Sequence, residues 1–135
     1  MTYLLDTSAL LAHFRDEAGA EAVQTLFNTE AAELLVASVS VPEFARRLKE
    51  LGMSHEESLH TLDQYLLALD KVVSIDELIA RDAYEIICRT PERLPMIDAL
   101  IAAAARSMQG QLVHRDSHMR CIPASMVAQL DLEMK

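Results

Sequence analysis

The sequence predicts an α/β fold, a mainly parallel sheet of four to five strands with helices packed on both faces. Three observations predict it. Short apolar runs bounded by polar residues alternate with longer segments of helical periodicity, the pattern of parallel strands joined by helices. The 135 residues are 51% hydrophobic, enough to bury a real core. Only 3 Gly and 4 Pro occur, with no internal repeat, which leaves no room for long linkers; residues 1–135 read as one domain.

The elements follow in order. "TYLLD" is the first strand, and "TSALLAHF" the helix after it. "EAGAEAVQTLFNTE" reads as a second helix, with Asp16 and Glu17 favourably placed against its N-terminal dipole. "ELLVAS" is a buried strand. "SVPEFARRLKELG" is a helix with Pro42 early and Gly52 as its C-terminal cap. "SHEESLHTLDQYLLAL" opens with Ser54 and Glu57 at capping-box spacing and carries Leu59, Leu62, Leu66 and Leu69 on one face. "KVVSI" is a third strand, followed by the helices "DELIARDAYEIICR" and "LPMIDALIAAAARSM", the latter opened by Pro95. "QLVH" is a fourth strand and "RCIP" a short fifth. Aromatics make up only 4%, so the core is aliphatic.

The net charge of −9 and a pI near 4.9 argue against a protein that coats nucleic acid generally. They are compatible with cations held in an acidic pocket, with local contact to a phosphate backbone, or with a basic partner. The N-terminus lacks the basic lead of a signal peptide, and no apolar run approaches the roughly 20 residues of a membrane span, so a soluble, cytoplasmic protein is expected. Cys88 and Cys121 form no Cys-x-x-Cys pattern; buried, reduced thiols are expected, and no zinc site.

Asp6 poses the central question, because a carboxylate ending a buried strand needs a partner. A helix cap, a salt bridge or a metal ion would each serve. Ligands of parallel sheets sit beyond the carboxyl ends of the strands, which is where Asp6 stands. Glu43 lies early in the helix after the second strand, Asp98 early in the helix after Pro95, and Asp116 after the fourth strand. Four carboxylates meeting in one cleft repel unless protons or cations intervene. Magnesium or manganese resolves this, since hard cations take carboxylate oxygens and keep waters for chemistry on a phosphodiester.

Each acid also has an ordinary explanation. Asp6 can cap the helix near Ser8, and Glu43 and Asp98 gain from helix dipoles wherever they point. His114, Asp116 and His118 alternate to one side of an extended segment, a generic spacing that suits surface histidines, or histidines that support the site from behind its ligands, better than a transition-metal site. Arg46, Arg47 and Lys49 either meet a phosphate backbone or form a solvated face; Arg89 and Arg93 carry the same ambiguity.

With these residues in place, the chain resembles the PIN-domain nucleases and, within them, the VapC-type toxins. The matching segments are "YLLDTSALL", "ASVSVPEFARR", "LPMIDALIAAAA" and "LVHRDSHM". The resemblance implies an α/β/α sandwich and an acidic site of Asp6, Glu43, Asp98 and Asp116 that binds Mg2+ or Mn2+, with Thr7 or Ser8 orienting a metal-bound water. It implies an endoribonuclease that blocks translation, a homodimer, and a cognate VapB-type antitoxin lying over the active-site groove. Arg46 and Arg47 are the candidate RNA contacts. One departure is His114, where relatives commonly carry a small hydroxyl residue; an imidazole there alters hydrogen bonding around the site or substrate access. The acidic "QLDLEMK" tail has no assigned role. Two other readings remain open: a non-catalytic protein-binding module on the same fold, and a hydrolase forming an aspartyl phosphate on Asp6.

Overall fold

The structure, a computed structural model, describes residues 1–133. Five strands form one sheet: β1 (Thr2–Leu5), β2 (Glu33–Ala37), β3 (Lys71–Val73), β4 (Gln111–His114) and β5 (Gln129–Asp131). Their order across the sheet is β3-β2-β1-β4-β5, and every pairing is parallel. The chain steps outward from β1 to β3 and then returns to lay β4 on the other side of β1. The strand order therefore reverses between β1 and β4, the position where open parallel sheets bind ligands.

Four helices cover one face: α1 (Thr7–Phe14), α2 (Ala20–Phe27), α3 (Ser40–Glu50) and α4 (His55–Ala68). They bury Leu10, Val23, Phe44, Leu48 and Leu62 against Leu5, Leu34, Val36 and Val113 of the sheet. The other face carries α5 (Glu77–Arg89), α6 (Met96–Ser107) and α7 (Ser117–Arg120), which bury Ile79, Ala83, Ile86, Ile101 and Met119 against Leu4, Leu35, Ala37, Val73 and Leu112. Adjacent strand residues thus feed opposite cores, as the two-residue period of a strand requires. The alternation in the sequence correctly gives a sandwich of three layers. Ala102 to Ala105 are fully buried, so α6 seats its backbone close to the sheet.

Local chemistry sets the helix ends. Ser54 and Glu57 form the reciprocal capping box, with Glu57 N–H donating to Ser54 Oγ at 3.1 Å and Ser54 N–H to Glu57 Oε1 at 2.8 Å. Three helices close with the same pair of backbone bonds, in which a left-handed residue turns the chain back on the last turn. Gly52 (φ +103°) does this for α3, as its position in the sequence suggests; Asp16 (φ +52°) and Gln109 (φ +53°) do it for α1 and α6.

Several expectations need correction. Asp16 and Glu17 finish α1 rather than start α2; α2 begins only at Ala20, after Gly19 at φ +99°. "RCIP" is not a strand: it holds the end of α7 and a turn, and the fifth strand is Gln129–Asp131 inside the acidic tail. The thiols are free, yet Cys88 is exposed and Cys121 partly so. Residue 88 lies opposite the buried side of α5 defined by Ile79, Ala83 and Ile86. Leu62 and Leu69 are buried, whereas Leu59 is 42% exposed.

Candidate functional site

The site begins with Asp6. Leu4 and Leu5 are fully buried, and the Asp6 N–H still reaches Val113 O at 3.0 Å, so the residue is fixed at the end of the sheet ladder. Its extended backbone (φ −82°, ψ 177°) makes it the N-cap of α1. Oδ1 accepts the Ala9 N–H at 2.8 Å and the Ser8 hydroxyl at 2.6 Å. The cap reading is therefore correct, and no salt bridge joins Asp6 to a cation among the described residues. Burial pushes the carboxyl up to about 7, against the two hydrogen bonds that lower it, with further raising from Asp116 and Asp98.

The neighbours of Asp6 tie the other elements to it. Ser8 Oγ donates to Asp6 and accepts the Arg115 N–H at 2.8 Å, locking α1 to the end of β4. Thr7 Oγ1 donates to Glu43 Oε1, locking α1 to the first turn of α3. Asp98, in the first turn of α6, is pushed up to about 6, chiefly by burial, then by Asp116 and Glu43, with His118 opposing. Asp116 follows β4 and caps α7 by accepting the His118 N–H at 2.7 Å. His118 Nδ1 lies 3.3 Å from Asp116 Oδ1 and 3.9 Å from Asp98 Oδ2.

These residues border one cleft of about 330 Å³, lined by Asp6, Thr7, Ser8, Glu43, Asp98 and Asp116 together with Leu11, Ala12, Arg15, Glu17, Arg47, Ile101 and Arg115. All four acids named from the sequence thus share a cleft. Arg47 is on its wall; Arg46 is not, and borders an adjoining hollow with Val39, Pro42 and Ile97. His114 is fully buried at the end of β4 with Nδ1 on the Asp116 N–H and Nε2 on Gln129, so it is not among the donor atoms that Asp98, Asp116 and His118 bring together. Arg15, Glu17 and Arg115 were not evident beforehand. Arg115 directly precedes Asp116 after a strand, a position the same reasoning marks; Arg15 and Glu17 depend on the left-handed turn at Asp16.

No arginine or lysine pairs with any of the four acids among the described residues, and no lysine lines the cleft. Asp98, Asp116 and His118 each offer a donor atom within 4.8 Å of the others. A donor set dominated by carboxylate oxygens, flanked by hydroxyls and with no arginine or lysine paired to it among the described residues, fits a hard divalent cation.

Residues 3–124 match the family model of the PIN domain. No curated protein matches the chain. Among solved structures, VapBC2 from Rickettsia felis, bound to a DNA fragment from its promoter, is similar at 17% identity and a TM-score of 0.76, over 97% of this chain and 98% of that one. VapBC-1 from nontypeable Haemophilus influenzae is similar at 16% identity and a TM-score of 0.76, over 99% and 100%. Mycobacterium tuberculosis VapC20, a sarcin-ricin loop cleaving toxin, is similar at 14% identity and a TM-score of 0.68, over 87% and 92%.

Proposed function

The chain belongs to the PIN-domain family, and on that premise we propose that it is a metal-dependent endoribonuclease, the toxin of a VapBC-type toxin–antitoxin pair. The observation that carries this reading is the set of Asp6, Glu43, Asp98 and Asp116 on one cleft with no arginine or lysine paired to any of them among the described residues. Burial and the neighbouring carboxylates disfavour the ionised forms of Asp6 and Asp98, a penalty that a bound cation would relieve. Magnesium or manganese held by the four acids, with His118 at the rim, would supply charge neutralisation at a phosphodiester and a water of lowered pKa.

The chain's own residues prepare that site. Ser8 holds Asp6 Oδ1 and so fixes how the carboxylate is turned. Thr7 holds Glu43 in the same way from the next position on α1. Asp116 is fixed twice, by the His118 N–H on its side chain and by the bond from its own N–H to His114. Ordering of this kind spares the site reorganisation when substrate binds. Arg47 is an RNA contact on the cleft wall, with Arg46 beside it on the same helix. RNA is the substrate in this reading, and a VapB-type antitoxin and a second copy of the chain are the partners. Support for the partners comes from the similar VapBC complexes.

Sequencing of RNA ends after brief induction in cells tests the reading, with Asp98→Ala as control. New ends in the wild-type sample alone are expected. Identical end profiles in the two samples would rule out nuclease function.

A further inference from the structure

We propose that Arg15 and Arg115 form a phosphate subsite on the cleft wall, occupied in the free chain by the Glu17 carboxylate, that receives a backbone phosphate of the RNA beside the scissile bond. The inference rests on the nuclease reading above and adds where the strand is gripped. α1 closes with Asp16 N–H on His13 O at 3.3 Å and Glu17 N–H on Ala12 O at 3.0 Å, with Asp16 in the left-handed region. That turn folds Glu17 back beside Arg15, the C-cap residue of α1. Glu17 Oε1 then lies 3.7 Å from Arg15 Nε and 3.4 Å from Arg115 Nη1. One carboxylate oxygen serves two guanidinium groups.

Arg115 makes two further contacts, Nη1 to Ala18 O at 3.4 Å and Nε to Glu133 Oε1 at 3.4 Å. Gly19 brings the turn against the segment after β5: a Cβ there would stand 2.8 Å from Leu132 Cβ, so only glycine allows the approach. The arrangement is thus braced from two sides, yet it stays reachable. Side chains of Arg15, Glu17 and Arg115 are 44%, 37% and 27% exposed.

The chemistry points to a phosphodiester. Guanidinium groups bind phosphate oxygens through paired N–H donors, and a carboxylate oxygen shared between two of them stands where a phosphate oxygen would sit. Separations of 3.4–3.7 Å are loose for charge-assisted bonds, so the carboxylate is a replaceable occupant. A polyanion approaching four clustered acids on a chain of net charge −9 requires local cations at the edge of the cleft.

Binding of a short single-stranded RNA is measured across salt concentrations in an Asp98→Asn background, so that the probe stays intact. Arg15→Gln and Arg115→Gln are each expected to reduce the slope of log K against log salt by about 0.7, one phosphate contact on a single strand. Glu17→Gln is expected to tighten binding severalfold. With Asp98 restored, both arginine variants raise KM for cleavage and leave kcat unchanged. Unchanged slopes in both arginine variants, weaker RNA binding by Glu17→Gln, or no RNA binding at all overturns the subsite. Altered slopes in a protein that cleaves no RNA would uphold the subsite and sink the nuclease reading instead.

Discussion

The backbone N–H of Asp116 donates to Nδ1 of His114 at 3.1 Å, and this bond sets the imidazole's tautomer. With Nδ1 accepting, Nε2 carries the proton and donates to Gln129 Oε1 at 2.8 Å, while Gln129 Nε2 donates to Ile122 O at 2.9 Å. A candidate metal-binding acid is therefore tied through a fully buried histidine to the edge strand β5 and to the turn after α7.

Loss of that histidine should be costly. His114→Ala leaves the Asp116 N–H and Gln129 Oε1 unpaired around a cavity and is expected to destabilise the fold by about 2–4 kcal/mol in urea unfolding. His114→Asn keeps an acceptor in the place of Nδ1 and should recover part of the loss. Equal stability of the two variants would show that the bond to Asp116 contributes little.

Acidity of the site predicts how stability depends on pH. Asp6 and Asp98 move from the ordinary 3.8 to about 7 and about 6 on folding. Between those values the folded chain binds more protons than the unfolded chain, so its stability falls as pH rises. The contribution is complete below about pH 4 and gone above about pH 7. Manganese takes the deprotonated carboxylates, so its effect on Tm should grow from about pH 5 to about pH 8. Melting curves with and without manganese across that range check this, and a larger metal effect at the acid end would contradict it.

Asp6→Asn separates stability from function. The amide keeps a capping oxygen for the Ala9 N–H and removes a buried charge. Without metal the variant should be more stable than the wild type by roughly 1–3 kcal/mol at alkaline pH. Its Tm should no longer respond to manganese, and RNA cleavage should vanish. A retained manganese response would show that Asp6 is not a ligand.

The helix ends allow a conformational test remote from the acids. Gln109→Gly relieves a left-handed side chain and should stabilise by about 0.5–1 kcal/mol. Gly52→Ala should cost about 1 kcal/mol although nothing lies within 4 Å of the added carbon, because the strain is in the backbone alone. Both are read as shifts in urea midpoint at constant m-value.

The contrast between β4 and β5 shows what the sequence could and could not disclose. "QLVH" is legible because Leu112 and Val113 are fully buried, so its apolar run reports its place. Gln129, Leu130 and Asp131 are all half-buried, and this edge strand is held by backbone pairing to one neighbour, which leaves no apolar signature. "RCIP" misleads for the converse reason: Ile122 is buried under the sheet without being part of it. At the cleft, the four acids are legible because each follows a strand or opens a helix. Glu17 is hidden because its position depends on a left-handed aspartate, a conformation that glycine more often signals. Arg120, which grips Asp131 and Glu133, gives the acidic tail a structural role that its composition does not reveal.

Leu4 and Leu5 point into different cores although they are consecutive. A single codon gained or lost within β1 would exchange those two allegiances and turn Asp6 toward the wrong layer. Drift at this strand is thereby limited to swaps among aliphatic side chains of like volume, whereas frame-preserving length changes belong to the surface turns.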